Sequence, residues 1–272
     1  MNEMVATSHL ETELKYEVRA DIKLPVTLSG ADSETEIERV GGSTETGLKH
    51  HSSSVYELAA HYYDTPQREL AKNGIALRLR SGGADEGWHL KRRVDARTQH
   101  ETTWPYEEEL PAGVSATVDE IISEASTRLE IIAAIKTTRT VHRISDSTGR
   151  IVAEICDDQV STVDNSTGIK RVWREWEAEL VETETGEVSE HLLKTLDGLL
   201  IEAGATPSLA DSKIARAVGA LLPGALKKSA PPATIAALTL LETADILQAE
   251  SPGDPRIDRI RTIIERVRNM RG

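Results

Sequence analysis

The sequence contains no phenylalanine, and all aromatics together make up only 3% of its 272 residues. Any core must therefore rest on Leu, Ile, Val and Ala, helped by four tryptophans. Cysteine occurs once, at Cys156, so no intrachain disulfide can form, which suits a reducing compartment. No window approaches the roughly 20 apolar residues of a membrane span, and the first residues, MNEMVATSHLETELK, hold no apolar signal core. A cytoplasmic protein without a membrane partner is the expectation. Positive charge is scarce as well: the formal net charge is −13, which argues against coating nucleic acid or an anionic membrane by bulk electrostatics. Any anion site must be local, and the chain is long enough to build a core around one.

What the sequence does have is alternation. "HLETELKYEV" (9–18), "SVYELAAHYYDT" (54–65), "GIALRLRS" (74–81), "GWHLKRRV" (87–94), "TWPYEEEL" (103–110), "TTRTVHRIS" (137–145), "GRIVAEICD" (149–157) and "KRVWREWEAELVE" (170–182) all read as strands. Asn73-Gly74 and Gly82-Gly83 are turn signals, and the short spacings favour antiparallel hairpins in a meander. The polar stretch 27–55, rich in Ser, Thr, Gly and Glu, reads as a loop or insertion. Helical period appears at 117–135, 188–203 and 211–222. Pro223, Pro231 and Pro232 mark a linker over 223–233, which divides a main domain, 1–222, from a helical appendage, 234–272, with helices at 234–249 and 255–270.

Side chains two apart share a face of a strand. Glu11, Glu13 and Lys15 therefore lie together, as do Arg78 and Arg80, Lys91 and Arg93, Glu107 and Glu109, Arg139 and Arg143, and Glu177 and Glu179. Any one strand of this kind fits an open sheet with one wet face. Repetition of the pattern, with apolar partners such as Ile75, Leu77 and Leu79 or Trp176, Ala178 and Leu180 on the opposite faces, fits instead a closed barrel that is apolar outside and charged within. Unpaired charges in such an interior cost several kcal/mol each, so it calls for ligands. Arg and Lys suit phosphate oxygens, and clustered carboxylates suit hard divalent cations such as Mg2+ or Mn2+. A site with both is a site for metal and polyphosphate.

These residues resemble the CYTH superfamily, the triphosphate tunnel metalloenzymes, which includes class IV adenylyl cyclases, thiamine triphosphatases and inorganic tripolyphosphatases. The likeness runs over about residues 9–220 through Glu11-x-Glu13-x-Lys15, "HYYDT" (61–65), "LRLR" (77–80), "GWHLK" (87–91), "CDDQV" (156–160), "EWEAEL" (175–180) and "SK" (212–213). "GIALRLRSGGADEGWHLK" looks like the actinobacterial type in which this domain precedes a helical CHAD domain, although no His-x-x-Arg array of that kind occurs in 223–272. The resemblance implies an α+β fold around an eight-stranded antiparallel tunnel. It implies that Glu11, Glu13, Glu177 and Glu179 ligate two ions, Mg2+ or Mn2+, with a fifth-strand acid for which Glu107 and Glu109 fit by parity and Glu101 is a rival. Lys15, Arg78, Arg80, Lys91, Arg139 and Lys213 would hold the triphosphate, with Lys136 a competitor of Arg139. Glu11, Glu13, Lys15 and Asp158 form the implied catalytic set, although the doubled Asp157-Asp158 leaves that last choice open.

Asp64 is expected to fix a turn, the tryptophans and Cys156 to pack in the core, and His61 and His89 to be ordinary sheet residues, since a carboxylate and phosphate site has no need of imidazole. The implied activity is metal-dependent hydrolysis of inorganic tripolyphosphate or an organic triphosphate. An adenylyl cyclase and a non-catalytic polyphosphate-binding module are the alternatives; scarce aromatics disfavour base stacking, and retained Glu pairs disfavour a pure anion binder. The Arg-rich end (Arg256, Arg259, Arg261, Arg266, Arg268, Arg271) could dock a helical partner, dimerise or pack on the barrel.

Overall fold

The computed structural model describes residues 6–25, 35–36, 48–95, 97–181 and 189–269. The alternating runs form β1 (Thr7–Glu17), β3 (Lys49–Asp64), β4 (Ile75–Ser81), β5 (Gly87–Arg93), β6 (Thr98–Trp104), β7 (Glu130–Ser145), β8 (Ile151–Asp164) and β9 (Lys170–Leu180). Two-residue strands β2 (Thr35–Glu36) and β10 (Thr206–Pro207) add to β3 and β1. Every pairing is antiparallel, in the order β1-β6-β5-β4-β3-β7-β8-β9, and β9 returns to β1. The chain is thus an eight-stranded closed barrel with flanking helices. Closure depends on β1, whose residues 7–12 pair with β6 and whose residues 13–17 pair with β9.

A single meander was expected. The barrel instead joins two, β3 to β6 and β7 to β9, through the long β3–β7 pairing. The strand expected over 103–110 runs earlier, as β6 over Thr98–Trp104, and stops there because Pro105 has no N–H with which to extend the ladder. The expected helix over 117–135 is α2 (Ala112–Ile121) followed by a 3-10 turn (Ser126–Arg128), and Glu130 onward is already β7; β-branched Ile131, Ile132 and Ile135 fit a strand as well as a helix face. Asn73-Gly74 closes the short helix α1 (Glu69–Lys72) and is not a hairpin turn, whereas Gly82-Gly83 does join β4 to β5. β3 begins at Lys49, inside the stretch expected to be a loop; most of 27–47 lies outside the described residues.

Helices cover the apolar outer faces. α3 (Glu190–Glu202), capped by Ser189, lays Leu193, Leu196 and Leu200 on Leu14, Tyr16, Ile155 and Trp176. α2 lays Val114 and Val118 on Leu77, Leu79, Trp88 and Trp104. α4 (Lys213–Ala217), α5 (Leu221–Lys227), α6 (Pro232–Glu250) and α7 (Pro255–Asn269) follow. The expected helix over 211–222 is split between α4 and α5 at Gly219, whose φ is +64° and whose missing Cβ would lie 2.5 Å from Arg171 Nη2. The first part of the expected linker, 223–227, is helical in α5. α7 packs on α6, and Arg261 and Arg268 donate to the carbonyls of Val18 and Pro207, so two of the C-terminal arginines bind the barrel rim.

One end of the barrel interior is filled. Tyr62, Ala76, Ile135, Val160 and Trp173 meet Ile214 and Ala217 of α4 in an apolar plug. Asp64, just past Tyr62, is buried and accepts from the backbone N–H of Thr65, Leu70 and Ala71, so it ties the end of β3 to α1 as its turn role required. Asp64→Ala leaves those buried donors without an acceptor and should cost about 2 kcal/mol, read as a lower urea midpoint with no change in ligand affinity.

Candidate functional site

Above the plug the interior is a cavity of about 450 Å³, lined by inward residues of the eight barrel strands and by Lys213 at the start of α4. β1 supplies Glu11, Glu13 and Lys15; β4 supplies Arg78 and Arg80; β5, His89 and Lys91; β6, Gln99 and Glu101; β7, Arg139 and Arg143; β9, Glu177 and Glu179. Each set falls on alternate positions, with Val141 between Arg139 and Arg143, because the pleat sends alternate side chains inward.

The charges fall into two groups. In one, Glu177 is the centre of a cationic ring: Lys15 donates to it, Arg139 Nη2 lies 2.6 Å away and Lys213 Nζ 2.7 Å. Asp158 stands behind that ring, fully buried, taking two bonds from Arg139 at 2.7 and 2.6 Å and an ion pair from Lys213 at 3.0 Å. In the other group, carboxylates outnumber cations. Lys91 donates to Glu11 and lies 3.5 Å from Glu101; Arg78 is 3.7 Å from Glu101 and His89 Nδ1 2.9 Å; the Glu179 carboxylate has no hydrogen bond or ion pair among the described residues.

The protonation equilibria carry the same imbalance. Burial, then the hydrogen bond and like charge of Glu101, push Glu11 up to about 8 in spite of Lys91. Burial also raises Glu179, which Lys91 offsets only in part against Glu13 and Glu177. Burial alone would raise Glu101 too, but His89, Lys91 and Arg78 outweigh it and hold that carboxyl well below its usual range. On the basic side, burial and the neighbouring Arg78 and Arg139 push Arg80 down to about 9. The Nε donors of both Arg78 and Arg80 are buried without a hydrogen-bond partner. The tunnel therefore holds two unmet demands: acids that outnumber the cations beside them, and guanidinium Nε–H groups that lack an acceptor.

Those two demands match a divalent cation and phosphate oxygens respectively. Glu11, Glu13, Glu101 and Glu179 offer the hard oxygen donors that Mg2+ or Mn2+ takes, and Arg78 and Arg80 offer the planar forks that phosphate takes.

Residues 9–205 match the CYTH domain family. The chain belongs to that family. It is 33% identical over 238 residues to two proteins of Mycobacterium tuberculosis, from the CDC 1551 / Oshkosh and H37Rv strains, both described as uncharacterized; the match takes in 82% of this chain and 43% of theirs. The CYTH chain thus spans under half the length of these curated relatives. Among solved structures it is similar to a candidate adenylate cyclase of Bacillus halodurans (22% identity, 60% of this chain and 82% of that one, TM-score 0.44) and to a Hippeastrum candidate adenylyl cyclase described as having a dominant triphosphatase activity (15% identity, 81% and 97%, TM-score 0.44).

Most of the side chains singled out from the CYTH motifs converge on the tunnel: Glu11, Glu13, Lys15, Arg78, Arg80, Lys91, Arg139, Glu177, Glu179 and Lys213 all line it. Glu107 and Glu109 do not. They sit in the loop after β6, where the Glu107 carbonyl accepts from Trp88 Nε1, and Glu101 occupies the place sought for a fifth-strand acid. Lys136 is exposed and Arg139 points inward. Of the paired aspartates, Asp157 faces out and binds Arg174, while Asp158 aims two tunnel cations without itself lining the cavity. Two histidines were missed. His89 is no ordinary sheet residue, since it is buried in the tunnel wall between Glu101 and the Asp85 carbonyl; His9 stands 3.6 Å from both Glu11 and Glu101. Strand parity placed His9 with Glu11 and His89 with Lys91, so the signal was present in the sequence. His61 is exposed, Cys156 is buried, and Trp88, Trp173 and Trp176 are core residues as expected.

Proposed function

We propose that this chain hydrolyses a triphosphate with the help of divalent metal ions. The observation that carries the proposal is the pair of unmet demands in one cavity: carboxylates at Glu11 and Glu179 that their neighbouring cations offset only in part, and unpartnered guanidinium Nε donors at Arg78 and Arg80. Glu11, Glu13, Glu101 and Glu179 would hold Mg2+ or Mn2+, which supplies positive charge against the phosphate oxygens and makes nearby water more acidic.

The remaining chemistry belongs to the chain's own residues. Arg78, Arg80 and Arg139 orient the triphosphate through planar donors, and Lys15, Lys91 and Lys213 spread point charges along its length. Their carboxylate partners hold them in place before the substrate arrives, so charge developing in the transition state meets fixed dipoles. Water attacks the terminal phosphorus, the bond to the bridging oxygen breaks, and its electron pair leaves with the diphosphate. The proton of the attacking water passes to solvent. Inorganic tripolyphosphate would give orthophosphate and pyrophosphate.

The test is orthophosphate release from tripolyphosphate with Mg2+ or Mn2+, with and without chelator, and with ATP run alongside. Metal-dependent orthophosphate is the expected result. Cyclic AMP with pyrophosphate from ATP would make the chain a cyclase, and tight tripolyphosphate binding without turnover would make it a binding module.

A further inference from the structure

Lys213 reaches the tunnel from an element too short to hold itself: α4 has five residues, and an isolated helix of that length does not persist. Four groups from other elements fix it: Asp245, Glu17 and Trp173 through Arg216, and Arg171. Arg216, one turn after Lys213 and buried, donates from Nε and Nη2 to Asp245 of α6 at 2.7 and 2.9 Å. Its Nη1 takes Glu17, the next inward residue of β1 after Lys15, at 2.9 and 3.0 Å, and its guanidinium stacks on Trp173 at 4.5 Å. Arg171 of β9 donates to the Ala217 carbonyl at the end of α4 and, at 2.7 Å, to Glu242 of α6.

The clamp also touches the tunnel charges. Trp173 Nε1 donates to Glu175 Oε2 at 2.8 Å, Arg216 Nη1 lies 4.0 Å from the same oxygen, and the other oxygen faces Lys213 Nζ at 2.6 Å. Glu175 is thus the step between Arg216 and Lys213. Gly219 leaves room for the arrangement, since a Cβ there would meet both Arg171 Nη2 and Glu242 Oε1.

We propose that Asp245 and Glu242 of α6 are positioning residues for the tunnel: through Arg216 and Arg171 they hold α4 so that the Lys213 ammonium is presented to the triphosphate. The inference rests on the function proposed above, and it makes the C-terminal helices part of the site. Neither acid touches the cavity above the plug; both act through the arginines.

A double-mutant cycle read by calorimetric binding of tripolyphosphate tests it without requiring turnover. Asp245→Asn should weaken binding about tenfold and Glu242→Ala about threefold, with Asp245→Glu recovering most of the loss. In a Lys213→Met background either change should alter affinity less than twofold, because the group they position is gone. Glu242 is partly exposed, so its variant keeps the test open if Asp245→Asn does not fold. Equal weakening in both backgrounds, or no weakening in the first, overturns the positioning role while the proposed function stands. Wild-type protein that binds no tripolyphosphate overturns both.

Discussion

Glu11→Gln should cut metal-dependent tripolyphosphate hydrolysis about a thousandfold, roughly 4 kcal/mol in the barrier, and at the same time stabilise the ligand-free protein. Activity falls because a hard oxygen donor is lost from the acid group. Stability rises because Glu11 is buried beside Glu101 and its pKa is displaced from 4.5 to about 8. The sign follows from proton counts. Between 4.5 and about 8 the folded state keeps a proton that the unfolded state has released, so wild-type stability falls as pH rises through that interval. The variant has no such proton, and its advantage should grow to the order of 3 kcal/mol at the alkaline end. Melting temperatures in chelator across that range, paired with orthophosphate release, read both effects. A variant that keeps the wild-type rate removes Glu11 from the metal-binding set.

Arg80→Met tests the opposite demand. Arg80 is buried, its Nε is unpartnered, and its carboxylate partner, Asp85, is largely exposed on the loop between β4 and β5. Removing a charged fork of this kind should weaken tripolyphosphate binding about a hundredfold, or about 2.7 kcal/mol. Arg80→Lys should recover only part of it, because an ammonium lacks the planar pair of donors. The ligand-free variant should melt higher than wild type, since burial of Arg80 beside Arg78 and Arg139 is poorly compensated. Arg174→Met is the control: that arginine pairs with Asp157 outside the tunnel, and its loss should leave affinity unchanged. Equal effects at Arg80 and Arg174 would reduce the result to general electrostatics.

The charged face of β1 and the pairs on β4 and β9 were legible because strand parity is local: two residues apart means one face, whatever the rest of the chain does. The apolar exterior followed from the same rule at Leu77, Leu79, Trp176 and Ala178. Strand limits were less visible. "TWPYEEEL" alternates as a strand should, yet its ladder stops at Trp104, and Glu101 enters the tunnel because β1 sets its register, with His9 opposite Glu101 and Glu11 opposite Gln99. Register is decided by a partner some ninety residues away in this case, which no local window contains. The helix expected over 117–135 failed for a related reason: "LEIIAAI" carries too few polar residues to tell a period of 2 from one of 3.6. The clamp on α4 depends on contacts from β1, β9 and α6 together, and had no sequence signature at all.

Closure by β1 has a consequence for the order in which the protein comes into being. Glu13 lies opposite Glu179, and Lys15 opposite Glu177, so β1 must wait during synthesis for β9, far later in the chain, before its pairing is complete. Contacts so distant in sequence carry the full entropic cost of loop closure before any return, and they slow folding. A nascent chain can form the β3 to β6 meander early and pair it with residues 7–12 of β1, so Glu11 and Glu101 already face Lys91 and Arg78, while Glu13 and Lys15 stay unpaired across the open side. Such an intermediate is an open half-shell whose charged face stays in water until β9 arrives, and the tunnel with its displaced protonation equilibria comes into being only in that last closing step.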